Sequence, residues 1–505
     1  MRIKKIVKPL LFLAVLVMLL NIVGGILKRP VNGRWESSGL DRVYKNKNYY
    51  DVIFCGSSFS ITNVSNVELY REYGIASVTL GEPAQVLFLT YYSLEEALKY
   101  QSPKVVCLDT SSLFYSDATL SRCMKDEYSY IHYTLDNMKN NKTKYEAFKQ
   151  AREINPDLDF LNYFSVLYYS HANWTNLSKD NFEKYKSPVT VNGNTLLIDI
   201  YEDYADGGPT PLEEQEYTDE AAELTEINMK YLEKMIALCE EKGIQFVLLR
   251  SGGSLPWTWK RYNALENISE KYNVPLVDSG KYEEEMGFDW TTDLGDEKHF
   301  NISGTKKWTD CFGKYLTENY EFEDRRLDQR YDGYKEDEPK WQDAVDAMQL
   351  KLDLYNSVDF KSYLDVLNEI DREDNTIFIS VKEDATNSLS SDSIEKLRQL
   401  GFALEEITEK SEYSFAGVVD AAGVRESLKN KKVTLKGILD NEVSYQVCSG
   451  GGSSKKSASI KIGSKEYIAG GRGINIVVYN KTLESVLSSV YFDTYAEENP
   501  AVSRK

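Results

Sequence analysis

The sequence predicts an α/β protein: a parallel sheet with helices on both faces, a second and smaller mixed α/β, strand-rich domain, and an N-terminal transmembrane helix. Three observations predict it. Between Asp51 and about Tyr320, short apolar runs ending in turn residues alternate with helical periods, as in a doubly covered parallel sheet. From about Asp371, period-two alternation dominates, which reads as strands. The chain opens with a basic "MRIKKIVK" and the uncharged 19-residue run "PLLFLAVLVMLLNIVGGIL", long enough to span a bilayer as a helix. The length of 505 residues exceeds what one core usually supports, and 42% hydrophobic with 28% charged residues is a globular composition.

Residues 1–30 form a cytoplasmic stub and signal-anchor. No small-x-small cleavage site follows the apolar run, which "KRP" ends, so the helix is expected to be retained. Lys4, Lys5 and Lys8 stay in the cytoplasm and place the rest of the chain outside a single-pass cell membrane.

The first domain is expected over 34–325. Its strands are "DVIFCGSS", "SVTLG", "KVVCLDTS", "IQFVLLRS" and "VPLVDSG", with helices at "YYSLEEALKYQ" and "INMKYLEKMIALCEEKG". Gly243 suits the helix C-terminus. A stretch from about 114 to 226, rich in Tyr, Asn and charge, interrupts the alternation. It reads as an insertion that could cover the site, its aromatic rings suited to sugar rings or to packing on the sheet. Residues 326–370 read as a charged helical connector. The second domain, 371–498, has strands at "NTIFISV", "YSFAGVVDAAGV", "ASIKIG", "INIVVYN" and "SVLSSVYFDTY", a helix at "SSDSIEKLRQLG" and a loop around "CSGGGSSKKSAS".

A net charge of −19 argues against nucleic acid as a partner, since neutralising phosphates needs a basic face. Six scattered cysteines form no CxxC pair, so neither a zinc site nor a redox motif is predicted. Most read as small core residues. "SGGGSS" lacks the Lys and the helix of a phosphate loop. No metal and no cofactor are expected.

Chemistry is expected where the first strand ends. Gly56-Ser57-Ser58 closes an apolar run, and in open parallel sheets ligands sit at the carboxyl ends of the strands. A serine needs a base, because its hydroxyl is otherwise almost wholly protonated. Of three histidines, His132 and His171 lie in the insertion with no acid or nucleophile in obvious register, and read as ordinary imidazoles. His299 lies in "DLGDEKHFNISGTKKWT". Asp296, three residues earlier, can curl back in one turn to hold its ring. Ser58, His299 and Asp296 thus supply the parts of a triad. The alternative for the last two is a pair of polar loop residues before a helix.

These blocks resemble the SGNH (GDSL-like) hydrolase superfamily: "GSS" after the first strand, Gly81 after the second and DxxH before the last helix. The stretch from "DVIFCGSSFSITNVS" to "KVVCLDTSSLF", with "DLGDEKHFNISGTKKWT", is similar to its membrane-anchored, extracytoplasmic members, the relatives of DltD and of the alginate and peptidoglycan O-acetylation proteins. The resemblance covers roughly Asp51 to Tyr320. It implies a flavodoxin-like sheet, Ser58 as nucleophile, His299 as base and Asp296 as its orienting acid. The oxyanion hole would rest on the N–H groups of Ser58 and Gly81, with Gln85. Arg250 and Ser57 are candidate substrate-binding residues. Two positions depart from the family: Ser57 replaces the Asp of Gly-Asp-Ser, and "LDTSSLF" has no Asn for the oxyanion. Losing one such donor can cost on the order of 100- to 1,000-fold.

In the second domain, "NTIFISVKEDATNSLSSDSIEKLRQLG…YSFAGVVDAAGV" and "GRGINIVVYNKTLESVLSSVYFDTY" resemble the two halves of the interleukin-like EMT inducer (PANDER-like, GG) domain, in circularly permuted order. Related domains in glycan-processing proteins bind sugars, so the resemblance implies carbohydrate binding. Gly471, Gly473 and Asn475 carry it, and could equally be turn and strand residues.

The sequence thus reads as an anchored serine-dependent acyl (acetyl) transferase or esterase acting on a cell-surface polysaccharide. For a transferase, the resemblance implies a membrane-bound O-acyltransferase partner that supplies acyl groups. Two alternatives stay open: an inactive scaffold that binds glycan during export or assembly, and D-alanyl transfer to teichoic acid.

Overall fold

A computed structural model describes residues 2–28, 38–125, 130–177, 180–183, 187, 189–201, 210–253, 256–383, 389–404, 413–451, 456–494 and 501–504. The chain divides into two compact units, Met1–Trp341 and Gln342–Lys505.

The first unit carries strands β1 (Val52–Cys55), β2 (Ser77–Thr79) and β3 (Val105–Asp109), a hairpin β4 (Thr190–Val191) and β5 (Asn194–Thr195), then β6 (Gln245–Arg250) and β7 (Leu276–Asp278). Five of these form one parallel sheet in the order β2-β1-β3-β6-β7. Their side chains alternate between two cores. Ile53, Cys55, Val106 and Leu108 face a cluster with Leu87, Phe88 and Tyr231, from helices Leu87–Ala97 and Glu226–Glu241. Val52, Phe54, Val105 and Cys107 face Leu69, Trp308 and Phe312, from helices Asn66–Tyr73 and Ile302–Asn319. Both faces are therefore covered, which is why the strands read as nearly unbroken apolar runs rather than alternating ones. Gly243 follows the helix Glu226–Glu241 at φ +67.

An N-terminal helix spans Arg2–Leu27. Its stretch Val7–Leu27, 21 residues, is long and apolar enough to cross a membrane, a property that signal sequences share. Arg29 and Pro30, which end the apolar run in the sequence, lie outside the described residues.

The segment 326–370 is divided between the two units. Its first part packs on the first unit: Tyr331, Tyr334 and Trp341 are buried, and Trp341 Nε1 donates to Glu68 Oε2 at 2.7 Å. The Tyr334 hydroxyl accepts the Ser77 N–H at 2.9 Å and donates to the Ser77 carbonyl, so the backbone of edge strand β2 is satisfied at Ser77. One helix, Asp332–Asn356, runs through the boundary between the units. The helix Phe360–Glu369 belongs to the second unit, where Tyr363 Oη donates to Ser488 Oγ and Phe360 packs on Phe492.

The second unit is a ten-stranded mixed sheet of β8 (Asn375–Lys382), β9 (Ser414–Asp420), β10 (Gly423–Lys429), β11 (Val433–Ile438), β12 (Ser444–Gly450), β13 (Ser457–Ile462), β14 (Lys465–Glu466), β15 (Gly473–Asn480), β16 (Ser485–Phe492) and β17 (Ala501–Arg504). All its pairings are antiparallel except β12 with β8. The helix expected at "SSDSIEKLRQLG" is Ser391–Gln399. Much of the expected "CSGGGSSKKSAS" loop is strand, with 452–455 outside the described residues. Asn475 is buried, accepts the Gly470 N–H and donates to the Gly471 carbonyl. It ties a turn together, so its amide is committed to the backbone. All six cysteines are buried and free.

Candidate active site

The turn after β1 is built by contact with the next strand. Parallel register sets Cys55 opposite Leu108, so Gly56, just past β1, lies beside Asp109 at the end of β3. Gly56 has φ +132, and a Cβ on it would stand 2.6 Å from Asp109 Cβ. Only glycine fits there. Ser57 N–H and Ser57 Oγ both donate to Asp109 Oδ2, at 2.9 and 2.7 Å. Ser111 donates its N–H to Oδ1 and its hydroxyl to Oδ2, both at 2.9 Å. Burial pushes the Asp109 carboxyl up from its ordinary value, and these donors pull it back.

Ser58 begins the short helix Ser58–Thr62 and is half-buried. Its Oγ lies 2.7 Å from His299 Nε2. His299 Nδ1 is 2.8 Å from Asp296 Oδ2. An ionised carboxylate only accepts, so Nδ1 carries the proton and Nε2 offers a lone pair to the Ser58 hydroxyl. Asp296 Oδ1 also accepts the backbone N–H of Lys298 and of His299, at 2.7 and 2.8 Å. Partial burial works to raise the Asp296 carboxyl, but the bonds from the His299 ring and these N–H groups hold it below its ordinary value. The expected trio, Ser58, His299 and Asp296, thus stands in one hydrogen-bonded chain.

The loop bearing His299 is locked to the serine helix. Asn63, fully buried, accepts the Phe300 N–H at 3.1 Å and donates to Ser251 Oγ at 3.2 Å. Gly253 N–H donates to the Lys298 carbonyl at 2.9 Å. The Phe59 ring lies 4.7 Å from the imidazole. The end of the insertion braces both parts. Asn194, in β5, donates to the Ile61 and Val64 carbonyls, and the Leu197 carbonyl accepts the Ile302 N–H at 2.9 Å.

Gly81 lies against this turn: a Cβ there would meet Ser60 Oγ at 2.0 Å and the Ser57 carbonyl at 2.9 Å. Among the described residues, no partner bonds the N–H of Ser58 or of Gly81. Three other expected residues are placed differently. Gln85 is buried, donates to Thr134 Oγ1 at 2.8 Å and accepts from Thr90 Oγ1, so its amide serves packing between helices rather than an oxyanion. Ser57 is buried with its hydroxyl on Asp109 and Ser111, which removes it from substrate binding. Arg250 is buried in an ion pair with Asp278, its register partner on β7, and stacks over Trp257. Its guanidinium is committed to structure rather than substrate.

The other imidazoles lie outside this chain. His132 is buried between the rings of Tyr163 and Tyr169 with Nδ1 3.1 Å from Asp136 Oδ1. It has an acid partner that the sequence reading overlooked, one helical turn on. His171 bonds the Tyr168 carbonyl.

No protein-family model matches the chain, and no curated protein matches it.

Proposed function

We propose that the chain is a membrane-anchored, extracytoplasmic, serine-dependent acyltransferase or esterase of the SGNH type, acting on a cell-surface polysaccharide. The observation that carries this reading is the Ser58 Oγ–His299 Nε2 distance of 2.7 Å, with Asp296 behind the ring at 2.8 Å. A serine presented at the carboxyl edge of a parallel sheet, with its base on the loop before the helix Ile302–Asn319, is the arrangement that the SGNH resemblance implies. The apolar N-terminal helix is read as a retained anchor, and the second unit as an interleukin-like EMT inducer-type domain that holds glycan.

His299 Nε2 takes the proton of the Ser58 hydroxyl as Oγ bonds to the carbonyl carbon of an acyl donor, most simply an acetyl ester. The imidazolium that forms is stabilised by Asp296. Negative charge on the carbonyl oxygen is met by the Ser58 and Gly81 N–H groups. The tetrahedral adduct collapses, His299 returns the proton to the leaving oxygen, and the acyl group stays on Ser58. A sugar hydroxyl or water, deprotonated by His299, then takes the acyl group and restores the serine. With Gln85 turned away, two backbone donors carry the oxyanion, which fits slow turnover. A membrane-bound O-acyltransferase is the proposed source of acyl groups.

The test mixes the full chain, in detergent micelles, with 4-nitrophenyl acetate and follows intact mass. An acetyl adduct that disappears in Ser58→Ala, and forms far more slowly in His299→Ala, is the expected result. A folded chain that never acylates would leave the glycan-binding scaffold as the better reading.

A further inference from the structure

Among the described residues, most of the large apolar side chains exposed outside the N-terminal helix fall in the insertion between Phe160 and Phe182. Phe160, Leu161, Val166, Trp174, Leu177 and Phe182 are all exposed, Trp174 and Phe182 at 69% and 64%. Scattered exposed hydrophobes need no explanation, but a contiguous group does. The opposite side of this segment is already engaged: Tyr163 is buried against His132 and Phe148.

The same segment holds the end of the N-terminal helix. Asn173 Nδ2 donates to the Leu27 carbonyl and Asn181 Nδ2 to the Ile26 carbonyl, both at 2.9 Å. These are among the last carbonyls of the helix, which have no partner within it. Gly24 is buried where the backbone of Leu167 crosses the helix. A span of 21 residues is about 31 Å long at 1.5 Å per residue, close to the roughly 30 Å of a hydrocarbon core. Ile26 and Leu27 therefore stand where hydrocarbon gives way to headgroups, and the elements bonded to them stand at the same depth.

We propose that the outer face of 160–177, with Phe182, lies in the headgroup region of the bilayer that the N-terminal helix spans, as a second, in-plane membrane contact. Aromatic residues favour that layer because it takes their rings and their polar edges together. The proposal rests on the spanning reading of the N-terminal helix. The lipid surface is chosen over a protein partner because the patch is continuous with the end of that helix.

The experiment uses the full chain in phosphatidylcholine vesicles. With all six native cysteines buried, an introduced surface cysteine is labelled selectively with an environment-sensitive fluorophore. Labels go on Trp174→Cys, Phe182→Cys, the exposed comparator Leu327→Cys and, within the helix, Leu13→Cys. The expected result is blue-shifted emission at 174 and 182, quenched by lipids with a spin label near the headgroup, with neither effect at 327. Leu13 should be quenched by a spin label deep in the acyl chain. Labels at 174 and 182 that match 327, while 13 is quenched, overturn the proposal and leave the anchor intact. An unquenched label at 13 overturns the spanning reading and the proposal with it.

Discussion

Asp109 Oδ2 accepts both the backbone N–H and the hydroxyl of Ser57. The residue before the proposed nucleophile is thus clamped at two points by the neighbouring strand. The direction of Ser58 follows from that clamp, not from any bond of its own to Asp109.

Asp109→Asn keeps the shape but offers one acceptor where the carboxylate offered two. It is expected to lower kcat for 4-nitrophenyl acetate by about one to two orders of magnitude, since small misplacements of a reacting group cost this much. KM should stay near that of the parent. A merely structural loss would instead lower the melting temperature and reduce the active fraction, with kcat per active site unchanged, as active-site titration would show.

Asp296→Asn leaves His299 without a charged partner and favours the wrong tautomer. A fall in kcat of roughly 100- to 10,000-fold is expected, read by the same assay. The sign of the pH effect follows from the lowered Asp296 carboxyl. Its pairing with His299 is fully present above the ordinary carboxyl value of 3.8 and is lost as pH falls through the depressed one. Loss of triad order through this carboxyl should therefore begin only below 3.8, which NMR of the His299 ring protons would follow.

Gly56→Ala must place a Cβ 2.6 Å from Asp109 Cβ at φ +132. Strain in such a conformation costs about 1–3 kcal/mol before any clash is counted. The expected outcome is a clearly lower midpoint in urea with loss of activity. Gly243→Ala, at φ +67 but with open space around it, should lose stability only and keep its activity.

Lys144 is buried within the insertion, 5.0 Å from the Phe164 ring. Burial pushes its ammonium down to about 8, with Asp136 opposing the shift and Lys28 adding to it. The unfolded chain holds this proton more tightly, so the cost is full at pH 7 and fades between about 8 and 10.5. Lys144→Met should therefore stabilise the chain by on the order of 3 kcal/mol at pH 7. The gap between the two urea midpoints should close as pH rises across that window.

The five sheet strands were legible because burial on both faces makes each an apolar run bounded by turn residues. The spacing DxxH marked the loop of His299 for a similar reason: one turn of chain brings the two side chains together. Long-range commitments were not legible. Nothing local marks Gln85 as a bond to Thr134. Arg250 and Ser57 sit at the predicted strand ends, yet each is claimed by a carboxylate one strand away. Both claims follow from register, since Arg250 lies opposite Asp278 and Cys55 opposite Leu108. The hairpin of β4 and β5 carried an overlooked local signal. Asn192-Gly193, both at positive φ, is the pair that a two-residue hairpin turn favours. In the second unit, β10 and β11 were missed because Arg425, Glu426, Lys429 and Lys436 on these partly exposed strands dilute the apolar pattern, and β12 was missed because its glycine- and serine-bearing end reads as loop.

Ser58 and His299 are separated by 241 residues. At roughly 5–20 residues per second, a ribosome needs on the order of 10–50 s to make that stretch. During that time Ser58 has no base beside it. Under the proposed mechanism, a nascent or truncated chain ending before 299 is chemically silent, and the hydroxyl is armed only when the loop before the helix Ile302–Asn319 has been delivered.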